Sequence, residues 1–320
     1  GMTIDMASPS FLYGPVPSRR LGYSLGVDLL PFKTCSMDCV YCQLGGGART
    51  TVRRRAFIPV ETVLAGIENV LRRGGRVDAI TFSGSGEPTL HPGLGRLIRA
   101  IKRKTAVPVV LLTNGSLFTR PSVRKDAAAA DIVVPSLDAA TEDAFRKINR
   151  PHPGLSAAAI IEGLAAFRRH FHGRLWLEVL FVKGINDRPS DLRALKKAIA
   201  RIRPDRVHLN TIVRPPAESW ARPLGRRDLE KIRAFLGETA EIIADFKKPG
   251  RRTRTKDLPS RILDFVRRRP ETAERIAASL GASPEAVERA GRRLEKDGRL
   301  RLVRLNGRVF FEPGAAAGKK

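Results

Sequence analysis

Cysteine is almost missing from this chain: three in 320 residues, Cys35, Cys39 and Cys42, all inside one run of eight. An odd count so placed excludes a disulfide framework. Acidic residues are also scarce, 32 Asp and Glu against 59 Lys and Arg, giving a formal net charge of +27 and a pI near 11.2. That excess points to polyanions such as nucleic acid, although 44 Arg against 15 Lys is a bias that genome composition also produces. No apolar run approaches the roughly 18 residues that span a bilayer. Gly1 reads as an addition ahead of Met2, and the next thirty residues hold prolines and charges where a secretory signal needs an apolar stretch. The expectation is a cytoplasmic protein with no membrane partner.

The three cysteines are one site. Spaced C-x3-C-x2-C, their thiolates can converge on one centre, and soft sulfur selects iron–sulfur clusters, zinc or copper. A [4Fe-4S] cube normally takes four cysteines, so three would leave one iron open to a ligand. The alternative is a structural zinc with a histidine as fourth ligand. No histidine lies within twenty residues of the cysteines, His91 being the nearest.

From residue 24 to 212 short apolar strands alternate with amphipathic helices, the pattern of parallel βα units. Strands are expected at 24–30, 79–83, 109–113, 132–137, 175–182 and 206–212. Helices are expected between them, for example through Leu94, Leu97, Ile98 and Ile101. The fold class is α/β, a partial (β/α)6 TIM-like barrel. Its expected division is an N-terminal extension at 1–23, the barrel at 24–246, a basic linker at 247–256, a small domain at 257–313 and a disordered tail at 314–320. In the small domain three helices precede a hairpin at Asn306-Gly307, with Ser283 capping the third helix at Pro284. That order reads as a winged helix-turn-helix. Its third helix would present Arg289, Arg292, Arg293 and Lys296, and its wing Arg308.

Ligands of parallel sheets gather at the carboxyl ends of the strands, where the remaining motifs fall. The first strand runs into the cysteine loop with Tyr41 just before Cys42, and the second ends in Gly84-Ser85-Gly86-Glu87-Pro88. This ordered pair resembles the radical S-adenosylmethionine superfamily. The resemblance implies a [4Fe-4S] cluster on Cys35, Cys39 and Cys42, with the open iron taking the amino and carboxylate groups of S-adenosylmethionine. It also implies reductive cleavage to a 5'-deoxyadenosyl radical, drawing electrons from a flavodoxin or ferredoxin. Tyr41, Gly84, Ser85, Gly86 and Glu87 would then bind cofactor, with the glycines letting backbone approach the ligand and Glu87 accepting the methionine ammonium.

Asn114 on the third strand, Ser136 and Asp138 on the fourth, Glu178 on the fifth and Asn210 on the sixth complete the expected cofactor set. Alternation along the strand puts Ser136 and Asp138 on one face. Capping by the same residue types, or an arginine partner for Glu178, are the plain structural alternatives. Arg214 would meet an anionic substrate, whereas His152 and His208 read as structural. The stretch from Gly14 to Gly22, with Pro31-Phe32-Lys33-Thr34, is similar to the radical enzymes classed with tRNA wyosine synthetases. Because three cysteines exhaust the supply, auxiliary clusters and cysteine relays are excluded. RNA, tRNA above all, is the expected substrate; a protein docked on the winged helix and a redox-sensing nucleic-acid-binding regulator are the rivals.

Overall fold

The computed structural model describes residues 11–18, 20–243, 258–267, 270–280, 282–305 and 307–314. The expected linker at 247–256, the tail beyond 314, Arg19, Gly281 and Asn306 lie outside the described residues.

Eight strands form one sheet in sequential order. β1 (Leu12–Ser18) pairs antiparallel with β2 (Gly22–Val27). Then follow β3 (Ala79–Phe82), β4 (Val109–Thr113), β5 (Ile132–Pro135), β6 (Arg174–Phe181), β7 (Arg206–Thr211) and β8 (Ala240–Ile242), each parallel to its predecessor. Helices α1 (Val60–Arg72), α2 (Leu94–Lys104), α3 (Pro121–Ala127), α4 (Glu142–Asn149), α5 (Ala157–His170), α6 (Pro189–Ile202) and α7 (Arg226–Leu236) carry the chain back. This is the α/β parallel sheet that the alternating pattern implies. The core lies between the two layers: Leu94, Leu97, Ile98 and Ile101 of α2 and Val109 and Leu111 of β4 are fully buried. Ser156 caps α5 by accepting from Ala159 N at 3.3 Å.

Three expectations need correction. The parallel strands number seven, not six, because β8 adds a short pairing to β7. Residues expected in an N-terminal extension form β1, an edge strand whose register breaks between Tyr13 and Val16. An edge tolerates Pro15 and Pro17, which carry no ladder N–H. The first parallel strand also ends at Val27 rather than Leu30, since the Asp28 carboxylate accepts from Leu30 N and turns the chain out of the ladder.

The C-terminal part holds α8 (Leu258–Val266), α9 (Ala273–Leu280) and α10 (Pro284–Lys296), then an antiparallel hairpin of β9 (Leu300–Leu305) and β10 (Arg308–Pro313). Ser283 caps α10 as its sequence suggests, accepting from Ala286 N at 3.2 Å. Ile262, Val266, Ile276, Val287 and Phe311 form a core of their own, joined by Val16 of β1. The edge strand therefore seats the C-terminal helices on the barrel. A buried ion pair locks that seat: Arg214, just after β7, donates to Glu271 at 3.0 Å, and Glu271 is 1% exposed.

Candidate active site

The cysteine loop leaves β2 and is held from both sides. Glu87 N donates to Thr34 O at 3.0 Å and Thr51 N to Cys35 O at 2.9 Å, while across the loop Val40 N donates to Ile148 O at 2.9 Å and His152 N to Ser36 O at 2.9 Å. Gly86 is required by this contact, because a Cβ there would lie 1.8 Å from Thr34 O; at Gly84 (φ +139°) one would lie 2.4 Å from Asp28 Cγ. The glycines thus serve close approach between loops of the protein itself, and both also line the cavity beside Cys35.

The three thiols are free and half-buried. Burial, then the charge of Glu87, pushes Cys35 up to about 12. Cys39 is pushed well up by burial and by Asp138, and Cys42 is raised by burial. The pocket alone therefore favours thiols, and a bound cation must displace their protons. Two carboxamides point at the sulfurs: Asn114 Nδ2 donates to Cys35 Sγ at 3.5 Å and Asn149 Nδ2 to Cys39 Sγ at 3.3 Å. Among the described residues no three His, Cys, Asp or Glu side chains gather closely enough to hold one metal ion. Amide N–H groups behind Cys35 and Cys39 fit thiolate ligands, whose negative charge they would stabilise.

Cys35 opens onto a cavity of about 420 Å³ at the carboxyl ends of the strands, within the usual range of ligand pockets. Of the residues expected to bind cofactor, Gly84, Gly86, Glu87, Asn114, Ser136, Glu178 and Asn210 line it. Glu87 is already occupied: Thr89 N, Thr89 Oγ1 and Thr113 Oγ1 donate to its Oε1 at 3.1, 2.5 and 2.6 Å, and Asn114 N to its Oε2 at 2.6 Å. Burial raises Glu87 despite those donors. It ties β3 to β4 and also lines the cavity.

Tyr41, Ser85 and Asp138 turn away from the cavity, a further correction. Ser85 donates from N and Oγ to Asp28 at 3.0 and 2.6 Å. Asp138 accepts from Tyr41 Oη at 2.5 Å, Asn149 Nδ2 at 2.7 Å and Leu180 N at 2.9 Å. Burial raises it. Ser136 lines the cavity and Asp138 does not, although the ladder runs on through the Ser136–Glu178 bridge and both residues line a small space beside Asn114 and Asn149.

The opposite wall carries charge. Arg20 donates to Glu178 Oε2 at 2.6 Å and to His208 Nδ1 at 3.1 Å, and Asn210 Nδ2 donates to Glu178 Oε1 at 3.0 Å. Because Arg20 can only donate, His208 Nδ1 accepts, leaving its Nε2–H to donate to Glu241 at 2.9 Å. Burial pushes Glu178 up, but the charge of Arg20 and the bonds from Asn210 and Arg20 bring it below its ordinary value. Burial and then Arg20 hold His208 below its ordinary value. Arg214 also lines the cavity, and its Nη2 donates to Glu271 at 3.0 Å. His152 takes a structural place, its Nδ1 accepting from Gly154 N.

Arg20, Asn149 and Asp28 were missed as site residues. Arg20 sits in the Gly14 to Gly22 stretch; Asn149 ends α4, whose start Thr141-Glu142-Asp143 signals in sequence.

The chain matches the Radical SAM superfamily over residues 29–210. It belongs to that superfamily. A UPF0026 protein of Helicobacter pylori (strain J99) is 38% identical over 272 residues, 82% of this chain and 85% of the relative. A Brachyspira hyodysenteriae protein named GTPase Obg is 37% identical over 303 residues, 94% of this chain, which spans only 45% of that protein. The crystal structure of a radical SAM methyltransferase from Sphaerobacter thermophilus superposes with a TM-score of 0.53 at 16% identity, covering 68% of this chain and 65% of that one, a likeness of fold. This chain is accordingly a radical SAM enzyme. No described helix is long and apolar enough to cross a membrane.

Proposed function

We propose that this radical SAM enzyme works with a single [4Fe-4S] cluster on Cys35, Cys39 and Cys42 and acts on RNA, tRNA above all, in the cytoplasm. When bound, the cluster and S-adenosylmethionine supply reductive carbon–sulfur cleavage and a 5'-deoxyadenosyl radical for hydrogen abstraction. The observation that carries the reading is Cys35 lining the 420 Å³ cavity beside the turn at Gly84 to Glu87.

The protein's own part is orientation and exclusion of water. Asn114 and Asn149 orient the first two thiols through N–H donors, Glu87 holding the backbone N–H of Asn114 after β4 and Asp138 the side-chain amide of Asn149 at the end of α4. Arg20 and Glu178 offer a positive and a negative group to a zwitterionic ligand, with Asn210 and Ser136 beside them. The charge of +27 supports a polyanionic substrate. The three C-terminal helices and hairpin serve as a winged helix that holds it, and a flavodoxin or ferredoxin is the reductant.

Protein reconstituted anaerobically with iron and sulfide, then reduced with dithionite, should release 5'-deoxyadenosine from S-adenosylmethionine. Failure to release it from protein carrying a full complement of iron would overturn the cofactor reading. RNA binding should weaken steeply with salt; salt-insensitive or absent binding would remove RNA as substrate.

A further inference from the structure

From Cys39 to Val60 the chain carries four arginines and no Asp or Glu. The later part of this stretch runs as a basic ridge along the outside of the cysteine loop. Thr51 N donates to Cys35 O at 2.9 Å, and Arg55 N donates to Leu90 O at 2.9 Å. Arg54 turns inward and clamps the segment, donating to Thr89 O at 2.9 Å, His91 O at 3.1 Å and Asp126 Oδ2 at 2.5 Å. Arg49, Arg53 and Arg55 are exposed, and no ion pair to any of the three is found among the described residues. Arg55 lies over the Phe57 ring at 5.6 Å, a contact that leaves its charge in place.

The acids bordering this ridge are already matched. Asp38 accepts from Lys33 at 3.4 Å, Asp126 from Arg54, and Glu61 pairs with Arg96 at 3.1 Å, while Asp28 and Glu87 are buried. The surface excess is therefore the three exposed arginines. Two of the four large apolar side chains exposed on the described residues also stand here, Phe57 on the ridge and Phe32 shortly before Cys35. Arginine beside exposed aromatic side chains is the composition of a protein interface. No residue from Arg49 to Phe57 lines the 420 Å³ cavity, although Cys35 lines it and its carbonyl accepts from Thr51. Cys35 thus stands between ridge and cavity. A substrate on the ridge would meet the cysteine loop before the cavity; an electron needs only to cross that loop.

We propose that this ridge docks an acidic one-electron carrier protein, of the flavodoxin or ferredoxin class, that reduces the centre on the cysteines. The proposal rests on the reading of Cys35, Cys39 and Cys42 as a cluster site. The step moves one electron and no atoms: the carrier is oxidised by one electron and the centre is reduced by one. The hydrogen bond from Thr51 N to Cys35 O links the ridge to a ligating residue from outside, so the carrier does not have to enter the cavity. Docking of this kind is small in area and steered by charge. Three like charges on a clamped segment supply that steering without a groove.

The test mixes the full chain, loaded with iron and sulfide, with a purified reduced flavodoxin in a stopped-flow spectrometer and follows bleaching of the cluster absorbance. Photoreduced deazaflavin, too small to need a docking face, is the reference reductant. Arg49→Glu with Arg53→Glu should slow reduction by flavodoxin about tenfold at low salt, with the gap closing as salt rises, and leave reduction by deazaflavin unchanged. The same variant should weaken binding of fluorescently labelled flavodoxin to the chain before iron is added. Arg193→Glu with Lys197→Glu, exposed on α6, should change neither. Equal slowing in both double variants, or a wild-type flavodoxin rate in the first, would overturn the docking site. Loss of tRNA binding at an unchanged flavodoxin rate would overturn it in favour of RNA. Iron-loaded wild type that deazaflavin does not reduce would overturn the cluster reading, and the docking site with it. Arg53→Gln alone, with a smaller slowing, serves if the charge reversals do not fold.

Discussion

Buried carboxylates on the two sides of the cavity that Cys35 lines are treated in opposite ways. On the cysteine side Glu87 and Asp138 are held by hydroxyls, carboxamides and backbone N–H groups, and no ion pair to either is found among the described residues. On the far side Glu178 is held by an arginine. Burial therefore wins on the first wall, where both acids are raised, and the cation wins on the second, where Glu178 is lowered. Neutral donors fix loops without adding positive charge beside the thiols. The far wall keeps a full ion pair facing the cavity, where a ligand's own charges can exchange with it.

The largest effect that separates the walls is loss of the metal centre. Cys39→Ala should leave the sheet folded, by circular dichroism, yet reduce iron bound after anaerobic reconstitution to near zero. Wild-type iron content in that variant would move the metal site elsewhere.

Breaking the charged wall comes next. Arg20→Leu leaves Glu178 without its cation in a site where Arg20 and Glu178 are 18% and 19% exposed, a loss of about 3 kcal/mol. That corresponds to roughly 6 °C or more in Tm for a barrel of this size. The sign with pH follows from the lowered Glu178. A depressed carboxylate stabilises the fold above its unfolded value, near 4.5, and that stability is lost as pH falls through the folded value. The gap between variant and wild type should thus be widest near neutrality and close below pH 4.5; a gap constant with pH would show that the pair is not the cause.

On the neutral wall the same kind of change should be milder. Glu87→Gln keeps the shape but turns an acceptor into a donor facing N–H or O–H groups, costing about 2 kcal/mol. Because Glu87 is raised and glutamine does not titrate, the wild type alone loses stability as pH climbs from the unfolded value near 4.5 through the folded one, so the loss should be largest at low pH and shrink as pH rises. A destabilisation exceeding that of Arg20→Leu would reverse the contrast between the walls.

How far the sequence reaches follows the same division. The βα alternation is carried by apolar period, so six parallel strands, the cysteine loop and the Gly84 to Glu87 turn could be read directly. β1 could not, because Gly14, Pro15 and Pro17 spell a loop and only an edge position tolerates them; β8 is three residues long and carries no period. Side-chain use was harder still. Glu87, Ser85 and Asp138 stand at the right strand ends, but whether an acid faces a ligand or a neighbouring loop depends on contacts across tens of residues, such as Tyr41 to Asp138 or Asp28 to Ser85. Asn149 escaped notice because its target, Cys39, lies 110 residues away in the chain.

The smallest effect is the most specific to the cysteine wall. Asn149 is 4% exposed, and its amide divides two N–H groups between Asp138 Oδ2 and Cys39 Sγ. Asn149→Ala removes both bonds, for a stability loss of about 1.5 kcal/mol, less than Arg20→Leu or Glu87→Gln. Its distinctive consequence is electronic. A donor to a ligating sulfur stabilises the more negative, reduced state of a cluster, so its removal should lower the reduction potential measured by spectroelectrochemical titration. Asn114→Ala, whose contact to Cys35 is longer at 3.5 Å, should shift the potential in the same direction by less. If both variants kept the wild-type potential while losing stability, the amides would serve only to hold the loops, as the neutral donors around Glu87 do.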